Sequence, residues 1–113
     1  MKEIKALIQP FMLDKVLDAL RDHAELPGIT VSEVVGWGRA AARKDDCVQA
    51  EGGHAFAKKT KLEIIVPDDM VEGVVDLVSK AAYTGRPGDG KIFIIEVADV
   101  LRIRTGERGI TAV

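Results

Sequence analysis

Cysteine, aromatics and histidine are scarce in this chain. One cysteine, one tryptophan, one tyrosine, three phenylalanines and two histidines are all that 113 residues contain of those types. The lone thiol, Cys47, closes no internal disulfide, so a reducing, cytoplasmic setting is expected. So few aromatics make no series of base-stacking platforms. A formal net charge of −2 is the wrong sign for a general nucleic-acid binder, and no nucleic-acid partner is expected. No apolar run approaches the roughly 18 residues of a membrane span, so direct membrane insertion is not expected either. The start, Met1-Lys2-Glu3-Ile4, enters a strand pattern at once, without the architecture of a leader. No Ser-His-Asp pattern and no histidine pair at helical spacing occur, and nothing reads as a nucleophile beside a base. The chain is therefore expected to be no enzyme. His23 falls at the end of the first helical pattern, where a cation is favourable.

What remains is well suited to a core. Apolar residues make up 47% of the chain, and the length fits a single domain over residues 1–113. Ile4-Lys5-Ala6-Leu7-Ile8 reads as a strand. Pro10 sits in a first helical turn, and Leu13, Val16, Leu17 and Leu20 then recur on one helical face. A second strand is expected over 29–35 and a third over 61–66, with Leu62, Ile64 and Val66 on one side. Pro67-Asp68-Asp69 opens a second helix, with Asp69 and Glu72 at capping-box spacing and Val71, Val74, Val75 and Val78 on its apolar face. The β-prone run Ile92-Phe93-Ile94-Ile95-Glu96-Val97 is expected to be the fourth strand. This β-α-β-β-α-β order predicts an α+β, ferredoxin-like sandwich: an antiparallel four-stranded sheet with two helices on one face. The other face is expected to carry Glu63 and Glu96 among Ile65, Ile92 and Ile94, apolar enough to need cover from another subunit.

Two stretches carry candidate chemistry. Thr84-Gly85-Arg86-Pro87-Gly88-Asp89-Gly90-Lys91 gathers three glycines and two basic side chains into a loop that cradles phosphate oxygens well. Further on, Leu101-Arg102-Ile103-Arg104 reads as a strand that points Arg102 and Arg104 to one side, roughly 7 Å apart. Two guanidiniums there suit a polyphosphate. Between the second and third strands lies a long, aperiodic interval at about 39–59, expected to be flexible. Its Cys47 and His54 are weak candidates for a metal, since their spacing matches no common zinc pattern.

Together with Gly36-Trp37-Gly38-Arg39, the glycine loop and Arg102-Ile103-Arg104-Thr105-Gly106-Glu107 resemble the PII signal-transduction (nitrogen regulatory) family. The likeness starts at Ile8-Gln9-Pro10-Phe11, passes through Val66-Pro67-Asp68-Asp69 and covers nearly everything but the long loop. It implies a homotrimer whose sheets face inward, with ATP or ADP bound between subunits. It also implies a long loop that docks on a client, such as a membrane transporter, an enzyme or a regulator. Carried over by position, Thr30, Gly36, Gly38 and Arg39 fall near the base and ribose, and Glu63 and Ile65 line the same cleft. Gly88, Asp89, Gly90, Lys91, Arg102 and Arg104 match the phosphate site, and Lys59 matches a lysine that contacts 2-oxoglutarate. Two departures mark a divergent branch. The loop has Gln49-Ala50-Glu51-Gly52-Gly53-His54 in place of a tyrosine-bearing run, and the only tyrosine, Tyr83, lies beside the glycine loop. Ala40 stands where a glutamine helps to coordinate magnesium, so magnesium loses that ligand here. The alternative is a metal-responsive trimer similar to the divalent-cation-tolerance proteins, using Cys47 and His54.

Overall fold

The computed structural model describes residues 1–23, 25–37, 47–49 and 55–113. Strand β1 (Lys2–Ile8) alternates, and its Ile4, Ala6 and Ile8 are buried. Pro10 opens a single tight turn, Pro10–Met12, which feeds helix α1 (Leu13–His23). The apolar spacing acts as expected: Val16 and Leu20 of α1 join Val71, Val74 and Val78 of helix α2 (Val71–Ala82) in one core. That core rests on Ile4, Ala6 and Ile8 of β1 and on Leu62, Ile64 and Val66 of the long strand β4 (Ala55–Val66).

The entry to α2 differs from the expected capping box. Neither the turn Asp68–Met70 nor the helix start has a side-chain cap. The tight turn supplies backbone partners instead, with Met70 N–H donating to the Pro67 carbonyl at 3.0 Å, which leaves Asp69 no cap to make. Asp68 accepts from the Met1 ammonium at 2.8 Å and from Lys2 Nζ at 3.0 Å. Lys2 also pairs with Glu96 at 2.9 Å.

Strands β2 (Thr30–Gly36) and β5 (Gly90–Glu96) complete a sheet of order β2-β4-β1-β5, antiparallel throughout. This is the expected ferredoxin-like sandwich. Its register corrects one expectation. Ile4 faces Ile64 on one side and Ile94 on the other, and Ala6 faces Leu62 and Ile92. Directly opposed residues share a face, so Ile92, Ile94 and Glu96 belong with the helices. Leu7, Val34, Ile65, Phe93 and Ile95 lie on the open face, among Glu3, Lys5, Lys61, Glu63 and Lys91. A one-residue shift exchanges the faces, and the unbroken run 92–95 has no alternation to reveal which way it sits.

The interval 39–59 is partly strand. A short strand, β3 (Cys47–Gln49), pairs with Ala55–Ala57 of β4, which runs on past the last β1 partner, Ile8 opposite Thr60. A two-stranded ribbon is held by its hydrogen-bond ladder and shows no apolar period in sequence. The expected flexibility of the remainder falls on residues outside those described.

Candidate functional site

Within the loop between α2 and β5, Asp89 is the organiser. Its carboxylate accepts from Thr84 N–H at 2.8 Å, from Gly85 N–H at 3.1 Å and from the Thr84 hydroxyl. The Thr84 hydroxyl in turn accepts from Arg86 N–H at 3.2 Å. These bonds, led by the Thr84 hydroxyl, hold the Asp89 carboxyl below its ordinary range. Gly85, Gly88 and Gly90 have φ of 81°, 97° and 109°, the region only glycine enters without strain. At Gly90 a Cβ would sit 1.7 Å from the Leu7 carbonyl oxygen, so backbone fills the space a side chain would need.

The Gly88 carbonyl ties this loop to the sheet. Gln9 Nε2 donates to it at 2.8 Å, and Lys59 Nζ donates to it as well. Lys59 lies on β4 just where the strand passes the end of β1, so the lysine matched to 2-oxoglutarate also braces the glycine loop. A cavity of about 290 Å³ opens beside the loop, lined by Ile8, Ala82, Tyr83, Asp89, Gly90 and Ile92 among others. A larger open cleft, about 970 Å³, lies away from the loop along α1 and segment 25–29. Asp14, Asp18 and Glu25 line it against a single Arg21, a poor match for an anion.

Arg102 and Arg104 are not on a strand. Strand β5 ends at Glu96, and segment 101–108 closes into a hairpin with Leu101 bridging to Arg108. Arg102 N–H donates to the Glu107 carbonyl at 2.9 Å, and Gly106 N–H donates back to the Arg102 carbonyl at 2.8 Å. Gly106, at φ 74°, supplies the reversal that a continuing strand would forbid. Both arginines and Ile103 are exposed at the hairpin end, Ile103 to 94%.

The matched residues divide into two groups. Gly90 faces Ile8, and Gly36 faces Ala57 of β4, so Gly36, Lys59 and the glycine loop belong to one end of the sheet. Thr30 is the direct partner of Glu63, with Ile65 two residues on along the same face. Ile65 is opposite Glu3 and Ile95, close to the other end. The arginine hairpin departs from that second end, where Val97 N–H donates to the Met1 carbonyl at 3.3 Å. Six residue steps of β5, about 20 Å, separate the two ends. No hydrogen bond or ion pair between described residues joins the hairpin to the glycine loop. Gly38, Arg39 and His54 lie outside the described residues, and Cys47 is opposite Ala57 in the ribbon. Among the described residues no group of three potential metal ligands occurs.

Three residues organise these groups without standing out in sequence: Gln9, Thr84 and Asp99. Gln9 is 93% buried and polar at the end of an apolar strand, which was the one available signal. Thr84 heads the glycine loop but gave no signal of its own, since it acts by bonding Asp89; Asp99 accepts from Val100, Arg108 and Gly109 in a turn of ordinary composition.

A split β-α-β sheet with both helices on one face defines the ferredoxin-like class of α+β proteins. Within that class, the family described as nitrogen regulatory protein P-II matches residues 1–107, and the chain belongs to this family. It is 49% identical over 113 residues to the nitrogen regulatory protein P-II of Mesorhizobium japonicum, covering 100% of both chains. To nitrogen regulatory protein P-II 1 of Escherichia coli it is 47% identical, again over 100% of both.

Proposed function

We propose that this chain is an adenine-nucleotide-binding signal protein that works as a homotrimer, binding ATP or ADP between subunits. The observation that carries this reading is the separation of the two residue groups. A glycine loop with Arg86 and Lys91 exposed lies at one end of β5, and the arginine hairpin leaves from the other. Two copies packed side by side bring one chain's loop to its neighbour's hairpin. The open sheet face supports the same assembly, since Phe93 and Ile95 are 43% and 40% exposed there. Membership of a regulatory family supports binding without turnover as the purpose, in the cytoplasm.

The regulated client is a transporter, enzyme or regulator, contacted by the long loop that the β3–β4 ribbon carries. Among the described residues no helix is long and apolar enough to cross a membrane, so a membrane client would be met from outside the bilayer. Magnesium finds little among the described residues: the Asp89 oxygens already accept from Thr84 and Gly85, and Glu63 pairs with Lys61 at 3.5 Å. Its oxygen ligands would come from phosphate and water.

Mixed assemblies test the reading. Arg102→Ala/Arg104→Ala and Lys91→Ala chains should each bind ATP weakly by calorimetry. Co-expressed at equal levels so that trimers assemble at random, they should recover wild-type affinity in about a quarter of all clefts, because each cleft takes one half-site from each of two neighbours. Mixed trimers with no recovered sites, or a stable monomer in light scattering, would refute it.

A further inference from the structure

Resting on the nucleotide reading above, we propose that Asp99 is a positioning residue for ATP binding, aiming Arg102 and Arg104 by closing the neck of the hairpin that bears them. Asp99 precedes the hairpin and touches both of its strands. Its carboxylate accepts from Val100 N–H at 2.9 Å on the outgoing strand. On the returning strand it accepts from Gly109 N–H at 3.1 Å and from Arg108 Nη1 at 2.8 Å. Gly109 N–H also donates to the Val100 carbonyl at 3.0 Å, which completes the neck. Beyond it, the Leu101–Arg108 bridge, the two backbone bonds between Arg102 and the 106–107 turn, and a bond from Glu107 N–H to the Thr105 hydroxyl at 3.3 Å hold the end. Among the described residues, the Arg102 side chain donates only to the Val113 carbonyl, at 3.4 Å.

The arginines therefore have no rigid strand beneath them, and the direction in which they leave the sheet is set at the neck. Val100 N–H, then Arg108, hold the Asp99 carboxyl below its ordinary range, so it is ionised at neutral pH. The Asp99–Arg108 ion pair is largely exposed and contributes little by itself. The backbone amides are what the carboxylate fixes. Loss of Asp99 accordingly matters more than loss of Arg108.

A thermodynamic cycle on the trimer tests this. ATP affinity is measured by calorimetry for wild type, Asp99→Ala, Arg108→Ala, Arg102→Ala/Arg104→Ala, and the combination of Asp99→Ala with both arginine changes. Asp99→Ala should weaken ATP about tenfold, with Arg108→Ala within about threefold of wild type. In the background lacking both arginines, Asp99→Ala should have no further effect, because it acts through them. Equal, additive losses in both backgrounds would mean general structural damage and overturn the proposal, as would unchanged affinity in Asp99→Ala. A wild-type trimer indifferent to ATP, or arginine variants that bind as wild type does, would instead overturn the nucleotide reading beneath it.

Discussion

Replacing Gly90 by alanine is the sharpest test of the glycine loop. At φ 109°, an L-residue pays about 1–3 kcal/mol in backbone strain. The new Cβ would also lie 1.7 Å from the Leu7 carbonyl oxygen, which is backbone and cannot swing aside. Relief requires β5 to peel from β1 at the Ile8–Gly90 pair, losing ladder bonds of about 1 kcal/mol each. Because Gly90 begins its strand, fraying limits the damage, and the sum is about 2–4 kcal/mol. That lowers the melting temperature by roughly 8–20 °C for a chain of this size, read by calorimetry at fixed protein concentration, since assembly adds to stability. Gly73→Ala is the control. Gly73 lies exposed in α2 with nothing within 4 Å of a built Cβ, so alanine there should add about 0.5–1 kcal/mol. A Gly90→Ala protein within about 0.5 kcal/mol of wild type would refute the conformation of the loop, and with it the close approach of backbone that the phosphate reading needs.

Three further outcomes are expected. Arg102→Ala should weaken ATP and ADP tenfold or more, the loss of one charge-assisted bond of about 1.5–3 kcal/mol; unchanged calorimetric affinity for both nucleotides would remove the arginine from the site. Asp89 has a folded-state pKa below the ordinary 3.8 because of the Thr84 hydroxyl, so its contribution is present above that value and lost as pH falls through the lower one. The Gly85 amide resonance, followed from neutral to acid pH, should shift with a midpoint below 3.8; a midpoint at or above it would contradict the bonding described. Ala40 offers no oxygen to magnesium, so ATP should bind while magnesium-dependent 2-oxoglutarate binding is weak, and Ala40→Gln should strengthen it; micromolar affinity in the unaltered chain would overturn this.

Both helices were legible because their buried positions, Val16 and Leu20, then Val71, Val74 and Val78, keep helical spacing. Strand β4 was legible only where burial alternates, at Leu62, Ile64 and Val66. Its outer part, through Lys58 and Lys59, is held by pairing with β2 and β3, which no composition records. The orientation of β5 was hidden for a different reason: four consecutive apolar residues satisfy either face. The arginine pair suggested a strand because the two sit two residues apart, whereas the decisive residue was Gly106, four positions beyond Arg102. The glycine loop was recognisable from its residues, but the bonds Asp89 makes to Thr84 and Gly85 depend on the loop's conformation, which composition does not record.

The Gly88 carbonyl gives the loop a chemical direction. A carbonyl oxygen has two lone pairs, and here Gln9 and Lys59 each direct a donor to that oxygen. The Asp89 carboxylate, the loop's one anionic group, is turned inward onto the loop's own amide and hydroxyl protons. An arriving molecule that needs to donate hydrogen bonds, such as an amine, finds these acceptors already engaged. One that brings only acceptors meets the exposed Arg86 and Lys91. An aspartate in such a loop thus need not turn its charge outward: by drawing the chain's own protons inward, it leaves the loop's outer side to Arg86 and Lys91.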